Sequence, residues 1–145
     1  MDKILIKNVK KICFNYKITM ELIFVYNAKS GLFSKITDFA HKIVSPKTYN
    51  CSLCSITYGN TSIHSEWAEF IKSLNIPVKF MYKDTFKITY PNIFSDYPVI
   101  YLSNENNMVK LLSAAEIGEV NKNGCLPELI RLVRLKMANS NKLEH

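Results

Sequence analysis

Residues 21–27 have the sequence ELIFVYN, a short run of apolar, aromatic and β-branched residues that decides the fold. Such a run is typical of a buried β-strand. Ser30 and Gly31 then open a segment to about Val44 in which apolar residues recur at helical spacing. Because Pro46 prevents this helix from continuing, the pattern predicts a buried strand followed by one amphipathic helix.

Two shorter helices and a second strand are predicted next. Asn50 is placed to cap a short helix that begins at Cys51, and Gly59 is placed to end it. A longer amphipathic helix is predicted over 65–74. The alternating run at 77–82 predicts a strand.

The C-terminal half of the chain predicts a hairpin and a packing helix. Residues 83–96 have turn residues and no clear periodicity, so we expect them to be irregular. Strands are predicted over 99–103 and 108–112, on either side of an asparagine-rich turn. Residues 113–116 form the pattern of a capping box before a short helix, and the last helix is predicted over 126–137.

The order of these elements is β-α-α-β followed by β-β-α. We interpret it as an α/β fold, with a central four-stranded mixed sheet flanked by helices. A strand–helix–strand unit followed by a hairpin and a packing helix is the minimal thioredoxin-like layout. The first two strands should be parallel, with a right-handed crossover. Pro98, directly before the hairpin, occupies the position at which thioredoxin-like domains carry a cis-proline.

The length and composition fit one domain with its own core, since 48% of the 145 residues are hydrophobic. We predict this domain over residues 20–137, with a disordered tail at 138–145. Residues 1–19 are a basic N-terminal tail or an extra edge element. They hold five lysines and one aspartate, which is +4 of the net charge of +7. Because the positive charge collects at one end of the chain, nucleic acid is not the expected partner.

The chain has no apolar run near the roughly 20 residues that span a membrane, and no segment with the features of a signal peptide. We therefore expect no membrane partner and predict a cytoplasmic location. In that compartment the four cysteines are reduced thiols, metal ligands or a redox pair, rather than a disulfide framework. They are Cys13, Cys51, Cys54 and Cys125.

Two motifs carry a resemblance to known proteins. Residues 25–31 fit V-Y-N-A-x-S-G, and residues 45–59 fit S-P-x-T-Y-x-C-x-L-C-x-x-T-Y-G. With Tyr-Pro-Val-Ile-Tyr at 97–101, they resemble a family of short, uncharacterised bacterial proteins, from about residue 20 to 133. Some members of that family carry the label GTPase. This chain has no G-x-x-x-x-G-K-[ST] loop to hold phosphates, so its own residues do not predict GTP hydrolysis.

The stretch Cys-Ser-Leu-Cys at 51–54 has the clearest chemistry. At a helix start, Cys51 is a candidate catalytic thiolate and Cys54, one turn on, a candidate resolving thiol. In thioredoxin-like enzymes such a pair directly follows the first strand, whereas here it follows the first helix. A helix that leaves that end of the sheet should finish at the far end. We therefore expect Cys51 to lie away from Pro98.

Two other interpretations of the pair remain open. His41, Cys51, Cys54 and His64 have the spacing H-x9-C-x2-C-x9-H and could form a Cys2His2 zinc site. Zinc is the only cofactor that the sequence suggests. Alternatively, both cysteines are small apolar residues that pack in a half-buried helix.

The turn after the first strand suggests a function of a different class. Asn27, Lys29 and Ser30 lie where a strand ends and a helix begins, and backbone amides at such a point can bind an anion. Pro98 is expected near the same end of the sheet. The alternative to a thiol-based redox protein is therefore a non-enzymatic domain that binds a ligand or a protein there.

Overall fold

The structure is a computed structural model and describes residues 19–30, 51–59 and 62–142. Four strands form one mixed sheet in the order β2-β1-β3-β4. β1 pairs in parallel with β2 and antiparallel with β3, which pairs antiparallel with β4. The strands are β1 Glu21–Tyr26, β2 Val78–Tyr82, β3 Val99–Ser103 and β4 Met108–Leu112.

Five helices belong to the described part of the chain: α1 Ser52–Thr57, α2 Ser65–Ser73, α3 Lys83–Thr89, α4 Ala114–Lys122 and α5 Leu126–Lys142. The prediction of a central four-stranded mixed sheet flanked by helices is confirmed, and the arrangement is consistent with a thioredoxin-like layout. The predicted helix from Ser30 to Val44 and the basic segment at 1–18 lie outside the described residues. None of the described helices has the length and apolar character needed to cross a membrane.

β1 is buried on both faces. Leu22 and Phe24 belong to a core formed with α1, α2, α4 and α5, whereas Ile23 and Val25 belong to a second, smaller core with α3. All four side chains are fully buried. A strand with neighbours on both edges and both faces has no polar side to present, which explains its continuous apolar run.

The hairpin fixes the position of Pro98. Val25 of β1 pairs with Val99 of β3, so Pro98 lies at the end of the sheet where β1 ends. Pro98 is buried, and the peptide bond between Tyr97 and Pro98 is cis, as the thioredoxin-like layout predicts. At the hairpin turn, the side-chain oxygen of Asn104 accepts hydrogen bonds from two backbone N–H groups, at 3.0 and 2.7 Å.

The prediction that residues 83–96 are irregular is wrong for their first half, which forms α3. This helix has seven residues and buries only one of them, Phe86. A single apolar contact leaves no repeat in the sequence, because a helical pattern needs two or more turns to become visible. Phe86 stacks on Tyr101 of β3, with ring centroids 5.4 Å apart, so tertiary packing holds the helix.

The disordered tail predicted at 138–145 is also corrected, since α5 continues from the expected end at Met137 to Lys142. Residues 143–145 lie outside the described part. Polar contacts accompany the apolar stripe of this helix, which reaches Met137. Lys136 pairs with Glu116 of α4 at 3.1 Å, and the Ser140 hydroxyl donates to the Lys136 carbonyl at 2.9 Å.

Candidate thiol site

Cys51 is the N-cap residue of α1, the place that the sequence had suggested for Asn50. Its backbone is extended, with φ −122° and ψ 95°, and its side chain turns back over the first helical turn. The backbone N–H of Cys54 donates to Cys51 Sγ at 3.4 Å. Cys51 Sγ therefore accepts the hydrogen bond that a side-chain oxygen accepts at most helix N-caps, and α1 begins at Ser52.

Cys51 lies beside the end of β1. The backbone N–H groups of Asn27, directly after β1, and of Leu53 also favour negative charge on Cys51 Sγ. Pro98 lies at this same end of the sheet, so the expectation that Cys51 lies away from Pro98 is wrong. Twenty residues separate Ser30 from Cys51, enough chain to lead back to the end that it left. The pair therefore occupies the end of the sheet that a thioredoxin-like active site uses.

The two thiols have different electrostatic roles. The Cys54 thiol donates a hydrogen bond to Cys51 Sγ, and this bond is the main reason that the pKa of Cys51 lies below its ordinary value. The same bond, together with burial, raises the pKa of Cys54. Of the two thiols, Cys51 therefore gives up its proton first as the pH rises, and Cys54 keeps its proton to higher pH. Both side chains are buried, with 2% of Cys51 and 8% of Cys54 exposed.

Three tyrosine side chains complete the cluster. Tyr26 ends β1, Tyr82 ends β2, and Tyr58 follows α1. The Tyr26 hydroxyl donates a hydrogen bond to the Tyr58 hydroxyl, and burial raises the pKa of Tyr58 to about 12. Burial also raises the pKa of Tyr26 and Tyr82. The hydroxyls stay protonated, so the thiol pair is surrounded by neutral polar groups.

The strand-to-helix turn, the predicted anion site, is occupied by an acidic residue of the same chain. The backbone N–H of Ser30 donates to both oxygens of Asp84, at 3.0 and 3.1 Å, and its hydroxyl donates to one of them at 2.6 Å. Asn27 accepts from Lys83 Nζ at 2.9 Å, while Lys29 is exposed. The carboxylate of Asp84 therefore takes the place that a bound anion would have at Ser30.

Replacing Asp84 with asparagine is expected to lower the free energy of unfolding by about 1 kcal/mol at neutral pH. Charge-assisted hydrogen bonds contribute least to this free energy when the charged group is partly exposed to water. Hydrogen bonds from Ser30 lower the pKa of Asp84 from its ordinary value of 3.8. The stabilisation is therefore complete above that value and is lost as the pH falls through the lower pKa of the folded state. Urea unfolding at neutral and acidic pH measures the effect.

The control for this prediction is Asp96→Asn, since Asp96 is exposed. Its unfolding free energy should stay close to that of the wild type at every pH. If Asp84→Asn and Asp96→Asn show the same pH dependence, the contact between Ser30 and Asp84 does not stabilise the fold.

The residues proposed for zinc do not come together in the described part of the chain. His41 lies outside it, and His64 is exposed, with its ring packed beside Gly59. Within residues 19–30, 51–59 and 62–142, no three His, Cys, Asp or Glu side chains could hold a metal ion. Cys51 and Cys54 alone are half of a zinc site.

Sequence reasoning missed Tyr26, Tyr82 and Asp84. Tyr26 and Tyr82 are opposite each other in the parallel pair β1–β2. The carboxyl ends of parallel strands meet at one edge of a sheet, where sites commonly form. Tyr82 ends its predicted strand, and Tyr26 lies one position before the end of its own. This rule, applied to the sequence, would have placed the two residues together. Asp84 had no such signal, because α3 was not predicted.

No family model, curated protein or solved structure matches this chain.

Proposed function

We propose that this protein is a thiol-based redox protein in which Cys51 is the nucleophile and Cys54 the resolving thiol. The observation that carries the proposal is the set of donors around Cys51 Sγ. It consists of the Cys54 thiol and the backbone N–H groups of Asn27, Leu53 and Cys54. Donors fixed by the backbone favour the thiolate, which is the reactive form of cysteine.

The reaction follows from the order of the two thiols. The Cys51 thiolate attacks an oxidised centre, a disulfide sulfur or a peroxide oxygen, and forms one bond while the S–S or O–O bond breaks. Cys54 then gives up its proton and attacks Cys51 Sγ. The group attached to Cys51 leaves and takes a proton, and a Cys51–Cys54 disulfide remains. The pair thus loses two electrons and the oxidant gains them.

The proposal includes the cytoplasm as location, since a reversible dithiol pair is useful in a reducing compartment. It also includes membership of the bacterial family whose motifs the chain resembles. GTP hydrolysis is not part of it, because Asp84 occupies the backbone N–H of Ser30, in the segment most similar to a phosphate loop.

The test is alkylation of the full chain by iodoacetamide over a range of pH, with mass spectrometry of each cysteine. Cys51 should react with an apparent pKa below 9.0, its ordinary value, and Cys54 should stay unmodified. Mild oxidation should join Cys51 to Cys54. Cys125, a free and half-buried cysteine, is the internal reference.

Two results would contradict the redox function. If alkylation of Cys51 has an apparent pKa of 9.0 or above and no disulfide forms, the pair only packs in the core. If the freshly purified chain holds zinc in a one-to-one ratio that Cys51→Ser abolishes, the pair is half of a metal site. Cys125→Ser is the matched variant and should change neither readout.

A further inference from the structure

We propose that the oxidant of this pair is a small hydroperoxide, with hydrogen peroxide as the simplest member, rather than the disulfide of another protein. The inference rests on the proposed redox function and adds the class of its substrate. It follows from the burial of the two sulfur atoms and from the polar groups around them.

Burial limits what can reach Cys51. Thiol–disulfide exchange requires the attacking sulfur to line up with both sulfurs of the substrate, each of which carries a carbon chain. Only 2% of Cys51 is exposed, and Leu53 beside it is fully buried. Cys51 packs in one core with Leu53 and Ile56 of α1, so a protein disulfide that reached Cys51 Sγ would displace several packed side chains. A hydroperoxide is far smaller and would displace fewer of them.

Among the side chains around the thiol pair, the half-buried tyrosines are the easiest to displace. Tyr58 and Tyr82 are half-buried, in contrast to Tyr26, of which 5% is exposed. The backbone N–H of Tyr58 donates to the Cys54 carbonyl at 3.0 Å, and Tyr82 lies opposite Tyr26 in the parallel pair β1–β2. A hydroperoxide that enters on this side therefore meets hydrogen-bonding groups before it meets the sulfur, as a small polar molecule requires.

The atoms and electrons balance with the peroxide alone. The Cys51 thiolate attacks one oxygen of ROOH, the O–O bond breaks, and the leaving RO⁻ takes a proton to become ROH. Cys51 is now a sulfenic acid. The Cys54 thiol loses its proton and attacks Cys51 Sγ, hydroxide leaves and takes that proton as water, and the disulfide forms. One hydroperoxide is reduced for each disulfide made.

The experiment compares oxidants of one chemistry and rising size on the full chain. Rates of formation of the Cys51–Cys54 disulfide are measured with hydrogen peroxide, tert-butyl hydroperoxide, cumene hydroperoxide and oxidised glutathione. Each rate is divided by the rate of the same oxidant with free cysteine. The normalised rate for hydrogen peroxide should exceed those for cumene hydroperoxide and oxidised glutathione by about tenfold or more, since access limits buried thiols.

Variants at the outer side of the site test the cause of this selectivity. Tyr58→Ala should raise the normalised rate with cumene hydroperoxide several-fold more than the rate with hydrogen peroxide. Tyr82→Ala is the second variant if Tyr58→Ala does not fold. Tyr90→Ala is the control, because Tyr90 packs in the core on the other face of the sheet. It should leave the ratio of the two rates unchanged.

The outcomes separate this inference from the function on which it rests. If the disulfide forms and oxidised glutathione or cumene hydroperoxide is as fast as hydrogen peroxide, the redox function stands and the inference is overturned. If no oxidant produces the Cys51–Cys54 disulfide, the redox function itself fails.

Discussion

Replacing Trp67 with alanine is expected to lower the free energy of unfolding by about 3–5 kcal/mol, the usual cost of removing a large aromatic side chain from a core. Trp67 is fully buried. Its ring meets Phe24 of β1 edge to face, with centroids 5.2 Å apart, and lies 5.3 Å from the ring of Phe70. It therefore joins α2 to the central strand. A small domain has a total stability of roughly 5–15 kcal/mol, so the loss is a large fraction.

Chemical unfolding followed by circular dichroism measures this effect. The matched control is Phe94→Ala, since 88% of Phe94 is exposed. It should change the unfolding free energy by no more than about 0.5 kcal/mol. Equal losses in the two variants would mean that α2 does not pack on the sheet as described.

The fold could be predicted where the burial pattern repeats along an element. β1 is buried on both faces, so its residues from Leu22 to Tyr26 are apolar or aromatic without interruption, and two largely apolar strands flank the polar turn of the hairpin. The capping box was visible because both of its partners are close in sequence. The Ser113 hydroxyl accepts from the Glu116 backbone N–H at 3.2 Å, and Glu116 accepts from the Ser113 backbone N–H at 2.8 Å.

The elements that were missed depend on contacts between distant residues. α3 is held by the stack of Phe86 on Tyr101 and by the hydrogen bonds of Asp84 with Ser30, and α5 is joined to α4 by the ion pair of Lys136 with Glu116. None of these contacts leaves a periodic pattern, because each involves a single side chain of the element. Local pattern reasoning detects repeated burial and cannot detect a single distant contact.

The candidate site was predictable in composition but not in position. The spacing of Cys51 and Cys54 indicated a thiol pair at a helix start, but Cys51 itself is the N-cap, a position that the sequence suggested for Asn50. The return of the chain to the end of β1 was not predictable, since it depends on how the connection between Ser30 and Cys51 folds. The hydrogen bond between Ser30 and Asp84, which fills the predicted anion site, joins residues 54 positions apart.

Replacing Cys54 with alanine is expected to raise the pKa of Cys51 and to slow its alkylation at neutral pH. The hydrogen bond from the Cys54 thiol is the largest cause that lowers this pKa below 9.0, whereas burial of Cys51 raises it. Without the Cys54 thiol, only the backbone N–H groups lower the pKa of Cys51 against the effect of burial. At a pH below both values, each unit of increase reduces the thiolate fraction about tenfold.

Cys54→Ser is the matched variant, because a serine hydroxyl restores a donor at the same position. We expect its Cys51 pKa to lie between those of the wild type and Cys54→Ala, as measured by the pH dependence of alkylation or by thiolate absorbance. If the alanine and serine variants both keep the wild-type pKa, the thiolate depends on the backbone amides alone. The polarity of the pair, with charge on Cys51 and the proton on Cys54, follows only if the pKa rises in the order wild type, serine, alanine.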